Sequence, residues 1–121
     1  TGQALLVLLE RRLDNVIYRA GLARSRPEAR QLVIHGHFEI NGRKVDIPSY
    51  LVQAGDVIRV RDTSRDAVAF ELARESGGLV QVPDWIDADL ESLSVVVKAL
   101  PTRESIEVPL NEQLIVEFYS R

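Results

Sequence analysis

Cysteine and methionine are both absent from this 121-residue chain. Without cysteine there is no disulfide framework, no thiol nucleophile and no cysteine metal site, a composition that fits a cytoplasmic protein. A chain that starts at Thr1 and contains no Met is expected to be a fragment of a longer protein, with an N-terminal portion missing. No apolar run approaches the length of a membrane span. The longest, residues 4–9, lacks the basic start and small-residue cleavage site of a signal peptide, so no membrane partner is expected. Enzyme signatures are missing too. No G-x-S-x-G elbow frames a serine nucleophile, and neither a G-x-x-x-x-G-K-[ST] loop nor a G-x-G-x-x-G turn cradles a phosphate. These gaps predict a protein that is not an enzyme and needs no cofactor.

What is present suits one compact domain over residues 1–121, burying roughly two-thirds of its unfolded surface. The apolar fraction of 45% and charged fraction of 27% are ordinary for a globular protein. Net charge is -3, yet it is unevenly spread. Residues 1–65 hold 11 Lys+Arg and 7 Asp+Glu, whereas residues 66–121 hold 4 and 11. That asymmetry predicts a basic face and an acidic remainder. The division expected is a core module over residues 12–60 and a strand-rich remainder over residues 61–121.

Residues 4–20 read as one helix, because Leu5, Leu9, Leu13, Val16, Ile17 and Ala20 recur at spacings of three and four. Leu6, Val7 and Leu8 lie off that stripe and ask for a second partner surface. On one continuous helix Arg12 and Arg19 share a side. Gly21 then ends it as a C′ residue. Ser25 and Glu28 form an S-x-x-E capping box with Pro27 in the first turn. The second helix buries Ala29, Leu32 and Val33, stacks Arg26 and Arg30 on another face, and stops at Gly36. Residues 38–40, Asn41-Gly42 and residues 43–45 follow as a hairpin with a type I′ turn. Its two-residue loop sets Phe38 opposite Val45, and Glu39 opposite Lys44 as a charge pair. Residues 57–61 form a strand with Ile58 and Val60 on one face and Arg59 and Arg61 on the other. A third helix is expected over residues 64–76, then strands over 79–82, 94–100, 106–108 and 114–118. Asp84, Asp87, Asp89 and Glu91 read as an acidic turn around Trp85. The fold class is therefore α+β: a helix-turn-helix-like pair followed by an antiparallel sheet of short strands, with a third helix.

The chemistry concentrates in residues 24–45. Arg12, Arg19, Arg26 and Arg30 converge if the first two helices pack as a helix-turn-helix. The capped N-terminus at Ser25 adds free N–H groups and the positive end of the helix dipole. Guanidinium groups so placed grip phosphate oxygens bidentately, which predicts a nucleic-acid surface. His35-Gly36-His37 resembles a metal pair, but there is no third His and no Cys to complete it, so no metal is expected. The two rings suit hydrogen bonding or base stacking instead. Arg12-Leu13-Asp14 matches a triplet whose Asp is a nucleophile in pseudouridine synthases. The rival reading is thus the RNA-binding part of an RNA-modifying enzyme, although a helix-surface Asp paired with Arg accounts for the same residues. A further alternative is a structural module that binds protein through its acidic half.

Several segments together resemble the bacterial small-subunit ribosomal protein S-four family. They are Arg12-Leu13-Asp14-Asn15-Val16-Ile17-Tyr18-Arg19, Ser25-Arg26-Pro27-Glu28-Ala29-Arg30-Gln31-Leu32-Val33, His35-Gly36-His37, Asn41-Gly42, Pro48-Ser49-Tyr50-Leu51 and Gly55-Asp56-Val57-Ile58. Val82-Pro83-Asp84-Trp85 and the closing Asn111-Glu112-Gln113-Leu114-Ile115-Val116-Glu117-Phe118-Tyr119-Ser120-Arg121 are the more specific part. The RNA-binding module alone is shared with pseudouridine synthases, some tRNA synthetases and stress proteins. The resemblance implies a structural constituent of the small ribosomal subunit that binds its ribosomal RNA and supports assembly. It implies contacts with neighbouring small-subunit proteins and, in some members, with their own messenger RNA. Carried over position by position, the RNA-facing candidates are Arg12, Arg19, Arg24, Ser25, Arg26, Arg30, Gln31, His35, His37, Asn41, Arg43 and Lys44. Family members also carry a largely helical N-terminal region, which is the portion expected to be missing here.

Overall fold

The computed structural model describes residues 2–76 and 81–102. Among these, helices α1 (Gly2–Glu10), α2 (Leu13–Arg19) and α3 (Arg26–Ile34) precede strands β1 (Phe38–Ile40), β2 (Arg43–Lys44) and β3 (Val57–Val60). A 3-10 turn (Asp62–Ser64), helix α4 (Val68–Ser76) and strands β4 (Ile86–Asp89) and β5 (Ser94–Val97) follow. The strands form one antiparallel sheet in the order β2-β1-β3-β5-β4. The α+β expectation holds.

The single helix expected over residues 4–20 is broken at Arg11 and Arg12. Leu13 N–H donates to Tyr50 O at 2.8 Å and Asp14 N–H to Pro48 O at 3.1 Å, while Val52 N–H donates to Arg11 O at 3.0 Å. Arg12 adopts an extended conformation (φ -61°, ψ 140°) and bridges Leu51. Apolar periodicity is continuous through this point, but a strand-like pairing with residues 50–52 satisfies the backbone as well as a helix would. Asn15 repairs the break: its Nδ2 donates to Glu10 O at 2.8 Å. The break also turns the face of α1, so Leu6 is buried while Leu5 and Leu8 are exposed.

Both following helix ends carry paired C-terminal caps. Gly21 N–H donates to Tyr18 O and Leu22 N–H to Ile17 O, each at 3.1 Å. Gly36 N–H donates to Val33 O at 3.0 Å and His37 N–H to Leu32 O at 3.4 Å. These are Schellman motifs, which require a left-handed residue at C′; Gly21 and Gly36 supply it at φ 90° and 77°. At the other end of α3, Ser25 Oγ accepts from Glu28 N–H at 3.2 Å. Glu28 Oε1 in turn accepts from the N–H of Arg24, one residue earlier than a capping box places it.

The hairpin has the expected register, Glu39 opposite Lys44 and Ile40 opposite Arg43, with Asn41 and Gly42 both at positive φ. The charge pair differs. Glu39 is held by Arg59 at 3.5 Å, and Lys44 lies over Gly36 instead. β3 alternates as expected, with Ile58 and Val60 buried and Arg59 exposed. The expected third helix begins later, at Val68, after the 3-10 turn. The acidic turn is instead β4, where Ile86 is buried, Ala88 half-buried, and Asp87 and Asp89 exposed. A short alternating strand with two carboxylates resembles a turn in composition alone. β5 covers Ser94–Val97 of the expected 94–100. Residues 81 and 82 are not in a strand; residues 79 and 80 and the strands expected over 106–108 and 114–118 lie outside the described residues. One core joins the sheet to the helices, with Phe38, Phe70, Leu13, Ile17 and Ile58 fully buried.

Candidate nucleic-acid interface

Twelve side chains were expected on an RNA-facing surface, and the fold sorts them by whether their polar groups are already engaged. Arg12 is folded onto Asp14, with Nε and Nη2 each 3.1 Å from a carboxylate oxygen. Arg19 reaches back over the helical break to Glu10 at 3.0 Å. Arg24 pairs with Glu28 at 3.0 Å across one helical turn, and remains 74% exposed. Ser25 is occupied in capping. Arg12 and Arg19 therefore do not share a helix face.

Asn41, expected among the RNA contacts, has both ends of its carboxamide engaged within the protein. Its Nδ2 donates to Asp56 Oδ1 at 3.0 Å, and its Oδ1 accepts from Val57 N–H at 2.9 Å. Asp56 is buried and also accepts from Gln53 N–H at 2.8 Å. This clasp ties the hairpin tip to the start of β3.

Arg26 is preorganised. Its guanidinium lies 4.6 Å above the Tyr18 ring, and Nε donates to Asn15 Oδ1 at 3.2 Å. Such stacking orients an arginine at little further cost in side-chain entropy. Tyr18 escapes a search for charges; its signal is an aromatic ring close before the Gly-ended turn that leads to α3.

The exposed side of α3 carries Arg30, Gln31, Ile34 and His35, because Ala29, Leu32 and Val33 face the core. Gln31 Nε2 and His35 Nε2 lie 3.2 Å apart. His35 and His37 meet edge to face at 6.1 Å between ring centroids, and His37 Nδ1 is 2.8 Å from Ser64 Oγ. Burial, and then the charge of His35, lower the His37 pKa below its ordinary 6.5. The described residues contain no group of three or more His, Cys, Asp or Glu able to hold a metal ion.

Lys44 and Arg61 close this end. Lys44 crosses Gly36, and Arg61 Nη1 donates to Gly36 O at 3.3 Å. Cations here also complement the C-terminal end of the α3 dipole. Arg61 was not among the expected site residues; its place on the polar side of the strand expected over residues 57–61 was legible, but its position just after β3 and its approach to α3 were not. Arg43 is exposed on β2. The side chains of Arg30 and Arg43 have no hydrogen bond or ion pair among the described residues.

Asp14, the nucleophile of the rival enzymatic reading, is buried on α2. Oδ1 accepts from Arg12 Nε and from Asn15 N–H, and Oδ2 from Arg12 Nη2. A carboxylate so engaged, with its side chain 9% exposed, has the environment of a structural ion pair.

Residues 11–58 match the S4 domain, the segment that holds the helical break, α2, α3, the hairpin and the clasp. Over all 121 residues the chain is 55% identical to the small ribosomal subunit protein uS4 of Mycobacterium avium, of which it covers 60%. It is 54% identical to that of Ruminiclostridium cellulolyticum and 56% identical to that of Halothermothrix orenii, covering 58% of each. The chain thus spans about 60% of the length of these relatives. With an S4-domain match over residues 11–58 and similarity along its whole length, the chain is similar to the small ribosomal subunit proteins uS4.

Proposed function

We infer that the chain binds small-subunit ribosomal RNA without catalysis, as a structural constituent of the cytoplasmic ribosome that supports subunit assembly. One observation carries the reading. The outer face of α3 and the adjoining hairpin present Arg30, Arg43, Lys44, Gln31 and His35 to solvent, while Arg12, Arg19 and Arg24 are engaged by Asp14, Glu10 and Glu28. Phosphate recognition needs cations whose charge is not already neutralised by the protein. Arg26, stacked on Tyr18, adds an oriented guanidinium at the start of the same helix. His35 is placed for sugar or base contacts, the part of an interface that adds specificity to phosphate positioning.

Residues 1–121 act in this reading as one RNA-binding domain, with residues 12–60 as the binding module and 61–121 as its support. The exposed carboxylates of β4, Asp87 and Asp89, suit basic segments of neighbouring small-subunit proteins. Binding of the protein's own messenger RNA through the same surface is the finer part of the proposal, supported by family resemblance alone.

The test is the salt dependence of binding to small-subunit ribosomal RNA. Replacing Arg26 and Arg30 together by Ala is expected to weaken binding and to lower the slope against log salt by roughly 0.7 to 0.9 for each phosphate no longer neutralised. Arg24→Ala, which removes an already paired cation, is expected to change the slope much less. An unchanged slope for the Arg26/Arg30 pair places the interface elsewhere.

A further inference from the structure

The Asn41-Gly42 turn joins a reactive dipeptide to a clasp that restrains it. Asn15 precedes Val16 and Asn111 precedes Glu112, so Asn41 is the chain's one asparagine followed by glycine. Asparagine before glycine is open to spontaneous deamidation, because the unhindered glycine nitrogen can close on the side-chain carbonyl. Asn41 and Gly42 are both exposed, and nothing lies within 4 Å of the position a Gly42 Cβ would take. Water and hydroxide therefore reach the turn. What opposes the reaction is on the asparagine side. Nδ2 is held on Asp56 Oδ1 and Oδ1 on Val57 N–H, and Asp56 is itself fixed by Gln53 N–H and buried.

We propose that Asn41 is a modification site whose deamidation is gated by opening of the Asn41–Asp56–Val57 clasp. In the step, the Gly42 nitrogen loses its proton to base and attacks Asn41 Cγ. The new C–N bond closes a five-membered succinimide, the Cγ–Nδ2 bond breaks, and ammonia leaves with a proton from solvent. Water then adds to either imide carbonyl, giving aspartate or isoaspartate; no oxidant or reductant is involved. While both carboxamide hydrogen bonds persist, Cγ is held toward β3 and the attack cannot proceed. The rate then follows the population of locally open turn.

The product does not return to the clasp. An aspartate at position 41 sets a carboxylate where Nδ2 had lain 3.0 Å from Asp56 Oδ1, and two carboxylates at that distance cannot both stay ionised. Isoaspartate adds a backbone methylene to a two-residue turn whose length sets the Glu39–Lys44 register. Deamidation is thus a one-way release of the hairpin tip from β3.

Peptide mapping by mass spectrometry, during incubation of the whole chain at mildly alkaline pH, tests this. The folded wild type is expected to deamidate slowly and the urea-unfolded chain fast. Asp56→Ala is expected to raise the rate at Asn41 about tenfold, the effect of losing one well-made hydrogen bond on an opening equilibrium. Asp56→Asn keeps one of the two acceptor contacts and is expected between them, which preserves the test if the alanine variant does not fold. For the wild type alone, low urea should raise deamidation in step with exchange of the Val57 amide proton. Folded Asp56 variants reacting at the wild-type rate, folded wild type reacting as fast as unfolded chain, or a rate independent of Val57 exchange would each overturn the proposal.

Discussion

Lys44 lies across Gly36 so closely that a Cβ at position 36 would come 2.7 Å from Lys44 Cε. Gly36 also ends α3 at φ 77° and accepts Arg61 on its carbonyl. One residue thus joins the C-terminus of α3, the edge of the hairpin and the end of β3. Gly36→Ala is expected to destabilise the fold by about 1–2 kcal/mol, the cost of a left-handed conformation for a residue with a Cβ. Adding Lys44→Ala removes the clash but not that cost. Urea midpoints of the single and double variants measure both parts, and a Gly36→Ala midpoint equal to the wild type refutes the account.

Ser25→Ala removes the acceptor of the Glu28 N–H. The expected loss is roughly 1 kcal/mol, with Ser25→Gly costing only a few tenths. Since Arg24 N–H still has Glu28 Oε1, half of the reciprocal arrangement survives. Chemical denaturation of the two variants decides it: equal losses would mean that the hydroxyl is not the cap.

His37 gives stability a pH dependence with a definite sign. Its folded pKa is lowered, first by burial and then by His35, so the unfolded chain binds the proton more readily. The contribution is complete above the ordinary 6.5 and is lost as pH falls from there toward the lowered folded value. His37→Gln is expected to flatten this part of the stability profile. His35→Gln removes the neighbouring charge and should shrink the loss on acidification. A steeper fall for either variant would contradict this sign.

Asp14→Asn separates a structural ion pair from a nucleophile. The variant keeps the shape but removes the charge that accepts two bonds from Arg12. A loss of about 1–3 kcal/mol is expected, typical of a charge-assisted bond in a partly buried site. RNA binding should persist once the variant is folded. Uridine isomerisation by the wild type that disappears in this variant would restore the enzymatic reading.

The local elements were legible because their causes lie within a few residues. Ser25 to Glu28 marks a helix start, Gly36 a stop, and Asn41-Gly42 a turn whose length alone sets the register of the hairpin. The buried faces of α3 and β3 follow from spacing, since a period of three to four or of two puts apolar side chains on one side whatever the fold. The break at Arg12 was not legible, because its cause is the pairing of residues 11–14 with residues 48–52, far along the chain. β4 was missed for a related reason: Asp87 and Asp89 pair with Val96 and Ser94 of β5, a partner that composition does not reveal.

For the site, sequence by itself determined the inventory: which cations, histidines and amides stand in residues 12–44, and the likeness to uS4 proteins. Only the tertiary structure decided which remain available. It neutralised Arg12, Arg19 and Arg24 against nearby carboxylates, turned Asn41 inward to Asp56, and brought Arg61 beside Lys44 at the end of α3. The physical reason is that charge is a property of a residue, whereas free charge is a property of its neighbours. For Arg19, Asn41 and Arg61 those neighbours are set by packing across the helical break and the sheet.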